Sequence, residues 1–155
     1  MSMITVVPRF RIRRHRRLLD RSYLKLPAYR SAMRFAQAVY ELTKHFPEDE
    51  RSGLAMTLKR AAVTIPTKVA ESRFQLERQE SAGALLAAKE TLRECAAYLD
   101  VAACLRMTAR WRFRTPRRRA RNTARCLELM LTESQIEVDG DEPHTGTSVD
   151  VSLAA

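Results

Sequence analysis

The side chains best suited to chemistry in this sequence are arginines, and the chemistry that they offer is the binding of phosphate. Residues 105–125 contain nine arginines and no acidic residue. Each cation that meets a nucleic-acid phosphate releases condensed counterions, so a dense group of arginines favours a polyanion. The predicted nucleic-acid-binding residues are, first, Arg117, Arg118, Arg119, Arg121 and Arg125 and, second, Lys59, Arg60 and Lys68.

The net charge of +10 is distributed unevenly along the chain. Residues 1–26 have a net charge of +7, residues 27–104 of +1, residues 105–125 of +9 and residues 126–155 of −7. The centre is therefore almost neutral, and the charge lies in the segments that flank it. Segregation of this kind indicates either an electrostatic partner or chain ends that screen one another.

Signatures of catalysis are absent from the sequence. No GxxxxGK[ST], GxGxxG, HExxH, CxxC or GxSxG motif occurs. The three histidines are dispersed, and the acidic run at residues 48–50 is better explained as favourable charge at a helix start than as a catalytic cluster. A hydrolase or transferase needs a positioned base and a pocket, and the sequence indicates neither. We therefore expect no enzyme, no cofactor and no metal site.

Length and composition favour a single all-α domain. The 155 residues are enough to bury one core, and only four glycines and six prolines are present. The cysteines, Cys95, Cys104 and Cys126, form no CxxC pair, and one would remain if two were bonded. We interpret them as reduced thiols of a cytoplasmic protein. No run of about 18 apolar residues exists, so we expect no membrane span.

Helical periodicity predicts the elements that must position the arginines. A first helix over residues 27–44 has a broad apolar face suited to two neighbours: Ala32, Phe35, Ala36, Val39, Leu42 and Phe46. A second, long helix over residues 48–74 should bend near Ile65, because Pro66 cannot donate to the carbonyl of Ala62. Its apolar stripe comprises Leu54, Leu58, Ala61, Ile65 and Val69.

Two further helices complete the predicted bundle. The third, over residues 80–105, has apolar residues at alternating steps of three and four, which favour near-antiparallel packing: Leu85, Ala88, Leu92, Cys95, Leu99 and Ala102. The fourth should begin with Thr115 as N-cap and Pro116 as its first residue. Its narrow stripe comprises Ala120, Ala124, Leu127 and Leu131. The prediction is an antiparallel up-and-down four-helix bundle over residues 23–133.

The two flanks are predicted to be less ordered than the bundle. Residues 1–22 form a basic arm expected to be mobile, and three interpretations of it are open: contact with nucleic acid, a solvated tail, or a translated leader before the true start. Residues 134–155 form an acidic tail expected to be disordered. Because this tail follows the arginines, we expect it to compete with nucleic acid for them.

The segment FPEDERSGLAMTLKRAAVTIPTKVAES, residues 46–72, resembles the signature of a bacterial four-helix bundle family known as ribosomal-RNA intervening-sequence proteins. The family pattern has phenylalanine-proline, an acid, glycine-leucine, arginine-alanine-alanine, isoleucine-proline and an alanine-glutamate pair. The resemblance extends over about residues 26–103, with Lys68 in place of the usual asparagine and Ser72 in place of the usual glycine. It implies a ring of identical bundles, a homopentamer. The family includes accessory proteins of diversity-generating retroelements, which work with a reverse transcriptase and its RNA.

Two functions are compatible with these observations. The first is a non-catalytic, oligomeric bundle that binds nucleic acid, RNA in preference to DNA, through arginine-rich surface as an accessory factor. The second is a scaffolding or protein-interaction module whose basic ends contact an acidic protein or its own tail. For Arg60 two interpretations are open: a polar network with Glu71 and Glu94 inside the bundle, or ordinary surface charge.

Overall fold

The computed structural model describes the backbone of residues 21–139 and the side chains of residues 21–134, and all regular structure in this part is helical. The four α-helices are α1 (Pro27–Thr43), α2 (Leu54–Phe74), α3 (Arg78–Cys104) and α4 (Arg114–Asp139). A 3-10 turn precedes each of α1, α2 and α4; these turns are Ser22–Lys25, Glu48–Arg51 and Arg110–Phe113. The prediction of an all-α fold is confirmed.

The helices pack in a closed ring. α1 contacts α2 and α4, and α3 contacts α2 and α4, so α2 lies diagonally opposite α4. The first and last helices run in opposite directions, because Ser31 of α1 meets Thr123 of α4 and, one turn further along α1, Arg34 meets Arg119. This is the predicted antiparallel up-and-down four-helix bundle.

The core is built mainly from the predicted apolar stripes, although Leu54, Ala61 and Ala124 are only partly buried. The buried residues of α3 are Leu85, Ala88, Leu92, Cys95, Leu99 and Ala102, the same six that the alternating spacing predicts. The predicted face of α1, including Phe35 and Val39 at 0% exposure, is buried as well. Burial of a large apolar side chain contributes about 1.5–3 kcal/mol relative to leaving it exposed. Packing of these stripes therefore supplies the main driving force for the bundle.

The start of α2 differs from the prediction. The acidic residues 48–50 lie in a 3-10 turn, and the α-helix begins only at Leu54, after Gly53 as N-cap. The Glu50 carboxylate accepts a hydrogen bond of 3.2 Å from the backbone N–H of Leu54. A Cβ on Gly53 would lie 2.8 Å from the Oε2 atom of Glu50, so the glycine leaves room for this carboxylate. The helix start is thus contacted by one acidic side chain, that of Glu50, which reaches forward to Leu54, and the three acidic residues do not form its first turn.

Pro66 lies inside α2, which continues through it to Phe74. The side chain of Pro66 is buried against the bundle. Its missing N–H leaves the carbonyl of Ala62 without its usual helical donor, which is the reason to expect a bend near Ile65. That bend stays a prediction.

The start of α4 also differs from the prediction. Thr115 is not the N-cap, because the 3-10 turn leads directly into a helix that begins at Arg114. Phe113, only 1% exposed, anchors this turn in the core. Pro116 is the third residue of the helix, where the backbone N–H has no intrahelical partner to lose.

α4 continues to Asp139, beyond the predicted end of the bundle at residue 133. Between Pro116 and Gly140 the sequence contains no helix-breaking glycine or proline, which explains the extension. Residues 140–155 of the predicted acidic tail and residues 1–20 of the predicted basic arm lie outside the described residues.

Candidate nucleic-acid interface

A cleft between the start of α1 and the middle of α4 gathers basic side chains from both helices. It is lined by Lys25, Arg30, Arg34 and Arg125, with Pro27, Ser31, Asn122 and Cys126 completing the wall. None of these described lining residues is acidic. We call this site the basic cleft. Four cations that face one cleft without a carboxylate in the described lining give it a positive potential, which makes it a candidate site for a polyanion.

Polar contacts hold the two helices together beneath the basic cleft. The hydroxyl of Thr123, fully buried, donates to the carbonyl of Arg119 at 2.9 Å. Because its single proton is engaged there, the hydroxyl of Ser31 is the donor in the 3.0 Å bond between Ser31 and Thr123. Both hydroxyls are therefore satisfied, and α1 and α4 are fixed in register at the floor of the cleft.

Arg119 is a second link between the same two helices. Its guanidinium donates a 2.9 Å hydrogen bond to the backbone carbonyl of Arg34. The contact ties α4 to α1 immediately beside the basic cleft. Arg119 therefore acts first as a structural clamp, and this contact uses only one of the several N–H donors of its guanidinium.

The remaining predicted arginines of α4 divide into two groups. Arg117 faces α3, where it donates to the carboxylate of Asp100 at 2.7 Å, and it lies 5.8 Å from the centroid of the Phe113 ring. Arg118, Arg121 and Arg125 are exposed. Among the described residues no hydrogen bond or ion pair of their side chains is found. Within this part of the chain these three differ from Arg117, which is engaged by a carboxylate.

The second group of predicted binding residues lies elsewhere. Lys59, Arg60 and Lys68 are on α2, diagonally across the bundle from α4, so the structure does not bring them to the basic cleft. Lys59 lies over the ring of Tyr40, with Nζ 5.7 Å from the centroid. Lys68 is paired with Glu71 at 2.9 Å. Two of the three are thus already engaged within the chain.

Arg60 itself is exposed, and no side-chain contact with Glu71 or Glu94 is found among the described residues. Glu94 is also exposed. Within one chain the structure therefore favours the interpretation of Arg60 as surface charge over the interior polar network.

Further along the same pair of helices lies a second cleft that carries an exposed indole. Its lining includes Trp111, Gln37, His45, Thr115 and Arg119. The acid among its described lining residues, Glu41, is paired with Lys44 at 2.7 Å. We call this site the tryptophan cleft. Because Arg119 lines it and also contacts Arg34, the two clefts are neighbours on one surface.

The other side of α1 has a different character. A groove between α1 and α2 is lined mainly by apolar and aromatic side chains, among them Tyr23, Tyr29, Met33, Val63, Pro66 and Phe74. Met33 is 39% exposed and Val63 is 44% exposed. Tyr23 makes edge-to-face contacts with Tyr29 and Phe74. We call this surface the apolar groove.

Sequence reasoning missed three of the four cations in the basic cleft: Lys25, Arg30 and Arg34. A signal was present, because Arg30 and Arg34 are one helical turn apart and therefore share a face. In an up-and-down bundle the first and last helices are neighbours, so this face could have been paired with the arginines of α4. They were missed because they are isolated in the sequence, far from the dense run of arginines at residues 105–125.

The cysteine thiols are the next candidates for a reactive group. Burial, followed by the nearby carboxylate of Glu94, raises the pKa of the Cys95 thiol to about 12. Cys104 is exposed and Cys126 is partly buried, and the three described cysteines are free. Over residues 21–139 no group of three or more His, Cys, Asp and Glu residues could hold a metal ion. No helix in this part of the chain is long and apolar enough to cross a membrane.

Comparison with protein families gives one match. The family model described as 23S rRNA-intervening sequence protein matches residues 24–128. The matched range contains all of α1, α2 and α3, half of α4 and all four cations of the basic cleft. No curated protein matches the chain at a significant level.

Proposed function

The chain belongs to the 23S rRNA-intervening sequence protein family, and we propose that it is a non-catalytic, homo-oligomeric bundle that binds RNA through the basic cleft in the cytoplasm. Lys25, Arg30, Arg34 and Arg125 are the primary phosphate-binding residues in this proposal. Arg118 and Arg121 extend the same positive surface along α4.

The composition of the basic cleft is the observation that carries the proposal. Four cations face one another without an acidic residue in the described lining. Their mutual repulsion raises the free energy of the empty cleft, and a phosphate backbone relieves it while releasing condensed counterions. Phosphate contacts position a nucleic acid without reading its sequence, so the proposed binding is not sequence-specific. RNA is proposed over DNA because the family description refers to 23S rRNA.

The apolar groove supports the oligomeric part of the proposal. Exposed apolar side chains at Met33 and Val63 gain free energy when a second subunit covers them. The resemblance to the family implies a homopentameric ring, which we propose for this chain. In such a ring the basic cleft is repeated on every subunit, and weak phosphate contacts are multiplied through avidity.

The apolar groove is equally compatible with a second candidate function. A bundle that uses this groove to assemble, and whose cations serve only to contact acidic protein, would be a scaffolding module without an RNA role. The two candidates differ in what the basic cleft binds, and not in the fold or in the assembly.

A salt titration of RNA binding separates the candidates. Anisotropy of a labelled RNA should report binding at about 50 mM salt and a fall in affinity of orders of magnitude by about 200 mM, if six or more phosphates are contacted. The control is the same titration with a labelled acidic peptide of equal charge. No RNA binding at the lower salt concentration, with the peptide bound, would favour the scaffold.

A further inference from the structure

We propose that Trp111 is a stacking platform for one unpaired base of the bound RNA, so that the ligand of this surface is single-stranded. This inference rests on the proposed function and names its substrate class. The phosphates that follow the stacked base lie along α4 toward the basic cleft.

Trp111 is exposed but is not carried by a loose loop. It is 63% exposed, although a large apolar residue of this kind is usually more buried. It is also the only tryptophan of the chain. It lies in the 3-10 turn Arg110–Phe113, whose last residue, Phe113, is only 1% exposed and anchored in the core. The indole is therefore displayed to solvent from a fixed position, which lowers the entropic cost of ligand binding.

The surroundings of the indole suit a nucleobase. The guanidinium of Arg112 lies 4.6 Å from the centroid of the Trp111 ring, so a cation covers one face. Gln37, His45 and Thr115 line the same cleft and carry groups that can hydrogen bond to the edge of a base. An aromatic platform beside polar groups and a phosphate-binding surface is the combination that single-strand binding sites use.

The tryptophan cleft leads directly to the cations. Arg119 lines this cleft and donates to the carbonyl of Arg34, which lines the basic cleft. From Thr115 to Arg125, α4 rises about 15 Å at 1.5 Å per residue. At roughly 3.4 Å per phosphate of a stacked strand, about four phosphates span this distance. An RNA of eight nucleotides is therefore long enough to contact both clefts.

A duplex cannot use both clefts in the same way. Its bases are already stacked and paired, and extruding one of them costs free energy. A single strand offers unstacked bases at no such cost. Trp111 should therefore add affinity for single strands only, while the basic cleft attracts both forms through their phosphates.

The single tryptophan makes the test direct, because emission excited at a wavelength beyond the absorption of the four tyrosines reports on this residue alone. Unlabelled octauridylate titrated at about 50 mM salt should quench the emission of Trp111, and an RNA duplex of equal length should quench it much less. In a separate anisotropy assay with labelled octauridylate, Trp111→Ala should weaken binding about tenfold. Trp111→Phe should restore part of the loss, and circular dichroism should show both variants folded.

The outcomes separate this inference from the proposed function. Salt-sensitive binding of octauridylate that leaves the emission unchanged and is equally tight in Trp111→Ala overturns the stacking role and leaves the basic cleft as the RNA site. Equal quenching by the duplex also overturns it. An emission change that follows protein concentration without RNA would assign Trp111 to a subunit contact instead. No binding of any RNA overturns the proposed function together with the inference.

Discussion

The two sides of α1 are chemically opposite although they belong to one helix. Toward α4 the helix presents Arg30 and Arg34 to the basic cleft, and toward α2 it presents Tyr29 and Met33 to the apolar groove. The two residues of each pair are one helical turn apart and share a face. The two pairs are offset by one residue, which places them on different sides of the helix. Adjacent positions in the sequence thus line two surfaces of different chemistry.

The physical chemistry of the two surfaces selects different partners. Covering the basic cleft with apolar surface would strip water from four cations without replacing their interactions, which is unfavourable. Covering the apolar groove gains about 25 cal/mol for each Å² of apolar surface removed from water. In the proposed account the cleft takes RNA and the groove takes a second subunit, so α1 keeps the two interactions apart.

Charge reversal in the basic cleft is expected to have the largest effect. The double substitution Arg34→Glu and Arg125→Glu replaces two phosphate contacts by repulsion, so RNA affinity at about 50 mM salt should fall a hundredfold or more. Anisotropy of a labelled RNA measures the change. The matched control is Arg60→Glu with Arg93→Glu, two exposed positions on α2 and α3 with the same change in net charge. An equal loss in the control would show that overall charge matters and the cleft does not.

Disruption of the apolar groove should affect assembly of the subunits. Val63→Asp places a charge at a position that is 44% exposed in the single chain, so the subunit should fold while the assembly dissociates. Light scattering should show a mass that falls from that of the oligomer to about that of one chain. Val101→Asp, the same substitution at a position that is 47% exposed on α3, is the control. RNA affinity should weaken through lost avidity, but its salt dependence per subunit should remain.

The helical bundle is largely readable from the sequence, because helix periodicity is a local property. The alternating stripe of α3 from Leu85 to Ala102 requires no knowledge of the rest of the chain, and it is buried as predicted. The start of α2 was not readable, since it depends on the Glu50 carboxylate reaching past Gly53. The start of α4 depends on Phe113 being held in the core, which is a tertiary contact.

The candidate site was only half readable for a related reason. A dense run of arginines indicates a charged surface, but it does not say which of them are engaged by other residues. Arg117 is paired with Asp100, 17 positions earlier, and Arg119 is bound to a carbonyl on α1. The cations Arg30 and Arg34 join the site only because α1 and α4 are neighbours in the closed bundle.

A smaller effect is expected when the hydrogen bonds beneath the basic cleft are removed. The apolar groove has no counterpart of these bonds among the contacts described above. Thr123→Val keeps the shape of a fully buried side chain but removes its hydrogen bonds to Ser31 and to the carbonyl of Arg119. Loss of these bonds should lower the free energy of unfolding by about 1–2 kcal/mol, measured by urea denaturation. Thr132→Val, at an exposed position of the same helix, is the control. No loss of stability at Thr123 would mean that this floor does not fix the helices.

Thiol reactivity should change only a few-fold, and it tests whether RNA occupies the basic cleft. Cys126 lines the basic cleft, Cys104 is exposed elsewhere, and Cys95 is buried with its pKa raised to about 12. At pH 8 an alkylating reagent followed by mass spectrometry should modify Cys104, modify Cys126 more slowly and leave Cys95 unmodified. Bound RNA should slow only the reaction of Cys126, by a few-fold. Equal protection of Cys104 and Cys126 would argue against binding in the cleft.

The raised pKa of Cys95 also has a consequence for stability at high pH. In the unfolded chain the thiol ionises near its ordinary pKa of 9.0, whereas in the bundle it stays protonated to about 12. Stability from this group is therefore complete below pH 9 and is lost as the pH rises from about 9 to about 12. Cys95→Ala should flatten this part of the pH profile of unfolding, although the variant also loses some packing. An unchanged slope would show that Cys95 is not the group responsible.

The most direct test of the account is the salt dependence of RNA binding in the wild type and in Arg34→Glu with Arg125→Glu. The slope of the logarithm of affinity against the logarithm of salt concentration counts phosphate contacts, at roughly 0.7 for each contact with a single strand. The account predicts a slope that is shallower by about 1.4 or more in the double variant and unchanged in Arg60→Glu with Arg93→Glu. Equal slopes in all three proteins would contradict the assignment of RNA binding to the basic cleft.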